Sequence, residues 1–180
     1  MKNLDNVASI IGGNGQTRPH EFYPTPRECT EALIQFLNIP KGETIWECAV
    51  GGGNMEKVFA EYGYKVIGTD IQTGTDFITA PFRECDWIIT NPPFSLAEKF
   101  IRRANESGKP FAFLLKSQYW HSAKRLKLFR EIPPSYILPL TWRPDFTGCG
   151  NSLMDAIWCV WNGEKGTRYI PLQRPKTEGV

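Results

Sequence analysis

Long hydrophobic runs are missing from this sequence of 180 residues, and its longest apolar stretches are far too short to span a bilayer. Met1 to Asn6 is polar and the short run after it breaks at Gly12-Gly13, so no secretory signal is expected and a cytoplasmic chain is. Histidine is scarce, with two residues. The five cysteines (Cys29, Cys48, Cys85, Cys149 and Cys159) are odd in number and contain no Cys-x-x-Cys pair. Neither a zinc site nor a disulfide framework is supported, and no metal is expected. Charge of one sign is lacking too: 21 Lys and Arg stand against 19 Asp and Glu, so a net charge of +2 says little about an anionic partner. There is no repeat and no low-complexity segment. A chain of this length suits one compact domain that buries its core without disulfides or a structural metal.

Charge is unevenly placed all the same. Lys116 to Arg130 carries Lys116, Lys124, Arg125, Lys127 and Arg130 with no acidic residue, which fits a solvated helix face and a phosphate-contacting patch equally well. Residues 1 to 20 hold Gly12, Gly13 and Gly15 among polar residues without hydrophobic periodicity and read as a flexible arm. Thr25-Pro26-Arg27-Glu28 matches a capping box, and Ala32, Leu33, Phe36 and Leu37 follow at helical spacing, predicting a helix from Pro26 to Asn38.

Beyond the Pro40-Lys41-Gly42 turn the segments alternate. Strands are predicted at Thr44 to Ala49, Lys65 to Thr69, Asp86 to Thr90, Pro110 to Leu115, Tyr136 to Leu140 and Ala156 to Trp161. Helices are predicted at Asn54 to Tyr62, Leu96 to Glu106 and Ser122 to Arg130, and residues 164 to 180 read as a polar, proline-broken tail. Such alternation means an α/β fold with a mostly parallel sheet and helices on both faces, occupying residues 21 to 163. Ligands of such sheets lie outside the carboxyl ends of the strands.

The strand ends carry the polar residues. Glu47 near the end of the first strand precedes Gly51-Gly52-Gly53, where a ligand can approach the backbone and a helix start offers free N–H groups. Glu56 breaks the Gly-x-Gly-x-x-Gly pattern, which argues against a dinucleotide site. Asp70 ends the second strand, where an acid can accept from two ribose hydroxyls; a turn cap is the plain alternative. Asp76-Phe77 offers a polar contact and an apolar face for a purine, or simply a turn with a core Phe.

Asn91-Pro92-Pro93-Phe94 follows the third strand, and two adjacent prolines hold the chain stiff there. An exocyclic amine on a heterocycle is a poor nucleophile because its lone pair is delocalised into the ring. An amide oxygen from Asn91 and the Pro92 carbonyl, both accepting from that NH₂, would aim its lone pair at an electrophile, with Phe94 as a stacking face. No base of high pKa is needed.

Asn-Pro-Pro-Phe resembles the catalytic motif of the S-adenosylmethionine-dependent amino-methyltransferases of nucleic acids, especially the adenine-N6 type. Phe22-Tyr23-Pro24-Thr25-Pro26 resembles the segment that closes over the methionine end of their cofactor, and Glu47-x-x-x-Gly51-x-Gly53 their cofactor loop. Asp70 matches the ribose-binding acid and Asp76-Phe77 the motif beside the cofactor adenine. The resemblance covers roughly Glu21 to Trp161. It implies a single Rossmann-like class I methyltransferase domain with a seven-stranded, mostly parallel sheet and S-adenosylmethionine as cofactor. Tyr23, Thr25, Glu47, Gly51, Gly53, Asp70, Asp76 and Phe77 would hold that cofactor, and Asn91, Pro92, Pro93 and Phe94 the target base. Trp142 or Phe146, in the late loop, would pack the flipped adenine. Lys124 and Arg125 would meet the nucleic acid, most readily duplex DNA.

Two departures stand out. Glu47-Cys48-Ala49 replaces the acid followed by proline of many relatives, and there is no room for a separate target-recognition domain. Sequence choice would fall to Gln118 to Arg130 and Gly148 to Ser152, to a partner subunit or self-association, or hardly exist, as in small methyltransferases carried by phages. Methylation of adenine in structured RNA is the nearest rival. Cytosine-N4 methylation, a protein-glutamine target, a non-catalytic nucleic-acid-binding module and a nicotinamide-dependent dehydrogenase follow.

Overall fold

The computed structural model describes residues 23–148, 150 and 154–176. Phe22 and Cys149, together with Asn151 and Ser152 of the late loop, lie outside them. Seven strands form one sheet: β1 (Thr44–Glu47), β2 (Lys65–Gly68), β3 (Trp87–Thr90), β4 (Phe111–Lys116), β5 (Tyr136–Pro139), β6 (Ala156–Trp161) and β7 (Arg168–Tyr169). Their order is β2-β1-β3-β4-β6-β5-β7. β1 pairs in parallel with both β2 and β3, and β3 with β4, whereas β6 runs antiparallel between β4 and β5. The sheet is therefore seven-stranded and mostly parallel, with helices α1 (Arg27–Leu37), α2 (Asn54–Glu61), α3 (Ala97–Glu106) and α4 (Leu126–Glu131) packed on it. No helix among the described residues is long and apolar enough to cross a membrane.

Alternation along the central strands divides the core in two, because successive side chains of a strand point to opposite faces. Ala112 and Leu114 of β4 join Ala156, Trp158 and Val160 of β6 in a cluster with Leu33 of α1 and Phe59 of α2. Phe111, Phe113 and Leu115 join Ile157, Cys159 and Trp161 in a second cluster with Phe100 and Ile101 of α3 and Leu128 of α4. Phe111 and Trp161 stack at 4.6 Å across the antiparallel pair.

Three expectations are revised. The helix at the basic stretch is interrupted: Ala123–Arg125 forms a 3₁₀ turn before α4, and Arg125 at the junction folds back to donate to the Tyr119 carbonyl at 3.2 Å. The capping box does not form. α1 begins one residue later than the pattern requires, with Pro26 at its cap, and the Thr25 hydroxyl is used elsewhere. Finally, Arg168–Tyr169, within the stretch read as a polar tail, pairs in parallel with β5 as the seventh strand. Its residues are exposed, so no hydrophobic pattern announced it.

Trp158 is fully buried and its indole N–H donates to the Cys29 carbonyl of α1 at 2.9 Å, tying β6 to that helix. Trp158→Ala is expected to lower the unfolding free energy by about 3–5 kcal/mol, measured by urea denaturation.

Candidate functional site

The chain builds its sheet outward from β1, first to β2 and then back past β1 to β3. Strand order reverses between β1 and β3, and the connections leaving their carboxyl ends diverge, opening a crevice. A cavity of about 290 Å³ lies there, lined by the segments after β1, β2 and β3 and by Tyr23, Pro24 and Thr25.

Glu47 closes β1 and is 2 % exposed. Its Oε2 is buried without a hydrogen-bond partner. Burial, and secondly the negative charge of Glu56, push its carboxyl up from 4.5 to about 9; a backbone hydrogen bond at Glu56 opposes this and Asp70 adds to it. A carboxyl so placed holds its proton at neutral pH and is ready to ionise beside a cation. Next to it Cys48 lines the same wall, its thiol held well above the ordinary value by burial and then by Glu47.

After β1 the backbone turns through Gly51 at φ 54° and Gly53 at φ 76°, left-handed conformations that a side chain would strain. Gly53 caps α2, and of the two only Gly51 lines the cavity. Asp70, at the end of β2, binds both loops: one carboxylate oxygen accepts from Gly51 N at 2.9 Å, the other from Gln72 N at 2.8 Å. It is thus the turn cap as well as a cavity residue; each oxygen keeps a second lone pair for a ligand. Asp76 accepts from Ile78 N through one oxygen at 3.0 Å and lines the cavity with Phe77. Phe77 is 1 % exposed and meets Trp46 edge-on at 5.1 Å, so it is core and cavity wall at once.

Asn91 leaves β3 with its amide fixed. Nδ2 donates to Thr25 Oγ1 at 3.1 Å and to the Tyr23 carbonyl at 3.4 Å, while Oδ1 is buried without a partner. The Tyr23 carbonyl can only accept, so the nitrogen must face it and the oxygen must face away. Pro92 and Pro93 line the cavity beside it. Phe94 does not line it; its ring lies 5.7 Å from that of Tyr23, with Lys116 Nζ 4.5 Å from its centroid.

The remaining expected residues sit apart from the cavity. Phe146 is 6 % exposed within the core, and Trp142 packs partly buried against the same cluster with its indole N–H unpartnered. Lys124 is exposed, whereas Arg125 lies over the Tyr119 ring at 3.8 Å. Ile71, Ser95, Leu96 and Phe100 line the cavity without having been singled out. Of these, Ile71 had a readable signal: an apolar residue directly after a strand-end acid, and it is 66 % exposed.

No family model matches the sequence, and no curated protein matches it. Solved structures do. A type I restriction-modification methyltransferase subunit from Streptococcus thermophilus matches with a TM-score of 0.64 at 13% identity, over 83% of this chain and 47% of that one. An S-adenosylmethionine-dependent O-methyltransferase from Thermotoga maritima matches with a TM-score of 0.55 at 16% identity, over 83% of this chain and 69% of that one. A dimethyladenosine transferase from Plasmodium falciparum matches with a TM-score of 0.52 at 10% identity, over 78% of this chain and 63% of that one. The chain spans about half the length of the first of these. The fold is the Rossmann-like one of class I methyltransferases.

Because Glu47 holds its proton in the folded state to about pH 9 and the unfolded chain releases it near 4.5, its contribution is full below pH 4.5 and is lost as pH rises toward 9. Stability of the unliganded protein is expected to fall across that window in urea titrations, and Glu47→Gln to flatten the fall.

Proposed function

We propose that this chain transfers a methyl group from S-adenosylmethionine to the exocyclic N6 amine of adenine in DNA. The Asn91 amide carries the reading: its nitrogen is committed to Thr25 and Tyr23, which leaves a buried, unpartnered oxygen on a residue that lines the cavity. Such an oxygen matches an NH₂ donor. With the Pro92 carbonyl as second acceptor, the two amine hydrogens are held and the nitrogen lone pair is turned toward the cavity. Proline at both following positions removes the backbone donors that would compete for those oxygens.

The cavity suits the cofactor's charge. Glu47, Asp70 and Asp76 line it, Glu56 adds negative charge near Glu47, and the orphaned Glu47 Oε2 is the acceptor that an ammonium group would complete. Asp70 offers its remaining lone pairs to ribose hydroxyls, and Ile71 with Phe77 frames an apolar slot for a purine. Bound there, S-adenosylmethionine supplies an electrophilic methyl group on a positively charged sulfur. The chain's own part is to orient the amine, exclude water and balance that charge. Phe94 offers its ring to the target base, and Lys116, which lies over that ring, can turn to a flanking phosphate. Lys124 and Arg125 supply further phosphate contacts.

The test is mass spectrometry of nucleosides after incubation with S-adenosylmethionine and duplex DNA, single-stranded DNA or structured RNA. N6-methyladenine is expected in DNA; the product in RNA alone would transfer the reading to RNA, and none anywhere would overturn it. Asn91→Ala is expected to cut turnover by about a hundredfold or more while calorimetry shows unchanged cofactor affinity.

Thr25 acts through Asn91 as a positioning residue as well as lining the cavity. Thr25→Val is expected to lower kcat by about tenfold with little change in KM, and Thr25→Ser to restore it, because a serine hydroxyl reproduces the acceptor.

A further inference from the structure

Four large apolar side chains are exposed among the described residues: Ile71, Phe82, Leu126 and Tyr169. Three have evident settings. Ile71 lines the cavity, Phe82 lies 3.7 Å beneath the Arg103 guanidinium, and Tyr169 belongs to the edge strand β7. Leu126, 52 % exposed, has none of these. It begins α4 and is flanked in sequence by Lys124, Arg125 and Lys127, with Arg130 one turn further on.

The segment around it is closely packed. Trp120 and Phe129 stack at 3.8 Å and 22°, and Tyr119 meets Phe129 edge-on at 5.9 Å. Arg125, immediately before Leu126, is clamped on the Tyr119 ring and carbonyl. Topology places this platform at the same edge of the sheet as Asn91. β4 runs parallel to β3, with Thr90 opposite Phe113, so both strands end at the same edge of the sheet. Lys116, the last residue of β4, reaches the Phe94 ring, and the Tyr119–Trp120 platform follows within four residues. α4 then carries the chain back toward β5, which runs in the same direction as β4, so Leu126 lies at the helix end nearest that edge.

An exposed aliphatic side chain among cations, at the start of a helix packed through Phe129 on an aromatic platform, suits a duplex: the cations meet phosphates, and the apolar group enters the stack. Adenine cannot reach Asn91 from within a duplex without leaving its stack, and a gap remains where it was. We propose that Leu126 is the wedge that fills this gap, with Lys124 and Arg130 on the flanking phosphates, so that the surface around α4 is a duplex-opening interface. This rests on the adenine-methylating reading and adds to it a duplex partner and a residue acting on that partner.

The experiment compares Leu126→Ser with the unaltered protein on one adenine-containing sequence, as perfect duplex, as duplex with an abasic site opposite the target, and as single strand. Leu126 is exposed, so the variant is expected to fold, checked by an unchanged urea midpoint. Methylation of the perfect duplex is expected to fall about tenfold to a hundredfold, with single-strand and abasic-partner rates unchanged. With 2-aminopurine at the target position, duplex-bound fluorescence is expected to rise for the unaltered protein and not for Leu126→Ser. An unchanged duplex rate, or equal losses on all three substrates, overturns the wedge. Absence of methylation by the unaltered protein on every substrate overturns instead the reading it rests on.

Discussion

Everything at the site depends on β1 lying inside the sheet with its neighbours reached in opposite directions. A chain that always progressed to one side would cover each strand end with the next crossover. Here the reversal between β1 and β3 leaves their carboxyl ends uncovered, with Glu47 on one and Asn91 on the other. Two buried polar atoms without partners, Glu47 Oε2 and Asn91 Oδ1, belong to residues that line this opening. Orphans of that kind are costly inside a protein and are tolerated where a ligand completes them. One is suited to a cation and the other to an N–H donor.

The segment before α1 completes the site from outside the sheet. Thr25 is 5 % exposed, and its hydroxyl oxygen accepts from Asn91 Nδ2 in place of capping its own helix. α1 therefore starts without a side-chain cap, and the missing local bond reappears as a contact across 66 residues of sequence. Local helix stability is exchanged for the orientation of one amide, a common pattern where sites violate local rules.

Much of this was legible in the chain. The alternation of apolar strands and amphipathic helices carried the layered α/β architecture, and Glu47, Asp70 and Asn91 were visible because each stands where an apolar run stops, Asp76 because it follows the Thr73-Gly74-Thr75 turn. The motifs after three strand ends do converge on one cavity. What could not be read was determined by partners distant in sequence. A capping-box pattern describes only its own four residues, so Thr25 reads as a cap until Asn91 is beside it. The exposed pair Arg168–Tyr169 has backbone pairing but no apolar face, and a strand of that kind leaves no periodic trace. The turn at Arg125 depends on Tyr119, a packing contact rather than a propensity.

Cys48 gives the cavity a chemical hazard as well as a wall. A thiolate is a far stronger nucleophile than an aromatic amine, and beside the proposed methyl donor it would compete for the methyl group and become alkylated itself. Burial holds this thiol well above its ordinary value, so the sulfur stays protonated at neutral pH. The desolvation that holds the Glu47 carboxyl protonated thus also holds the Cys48 thiol protonated, and the dryness of one wall keeps both groups uncharged at neutral pH.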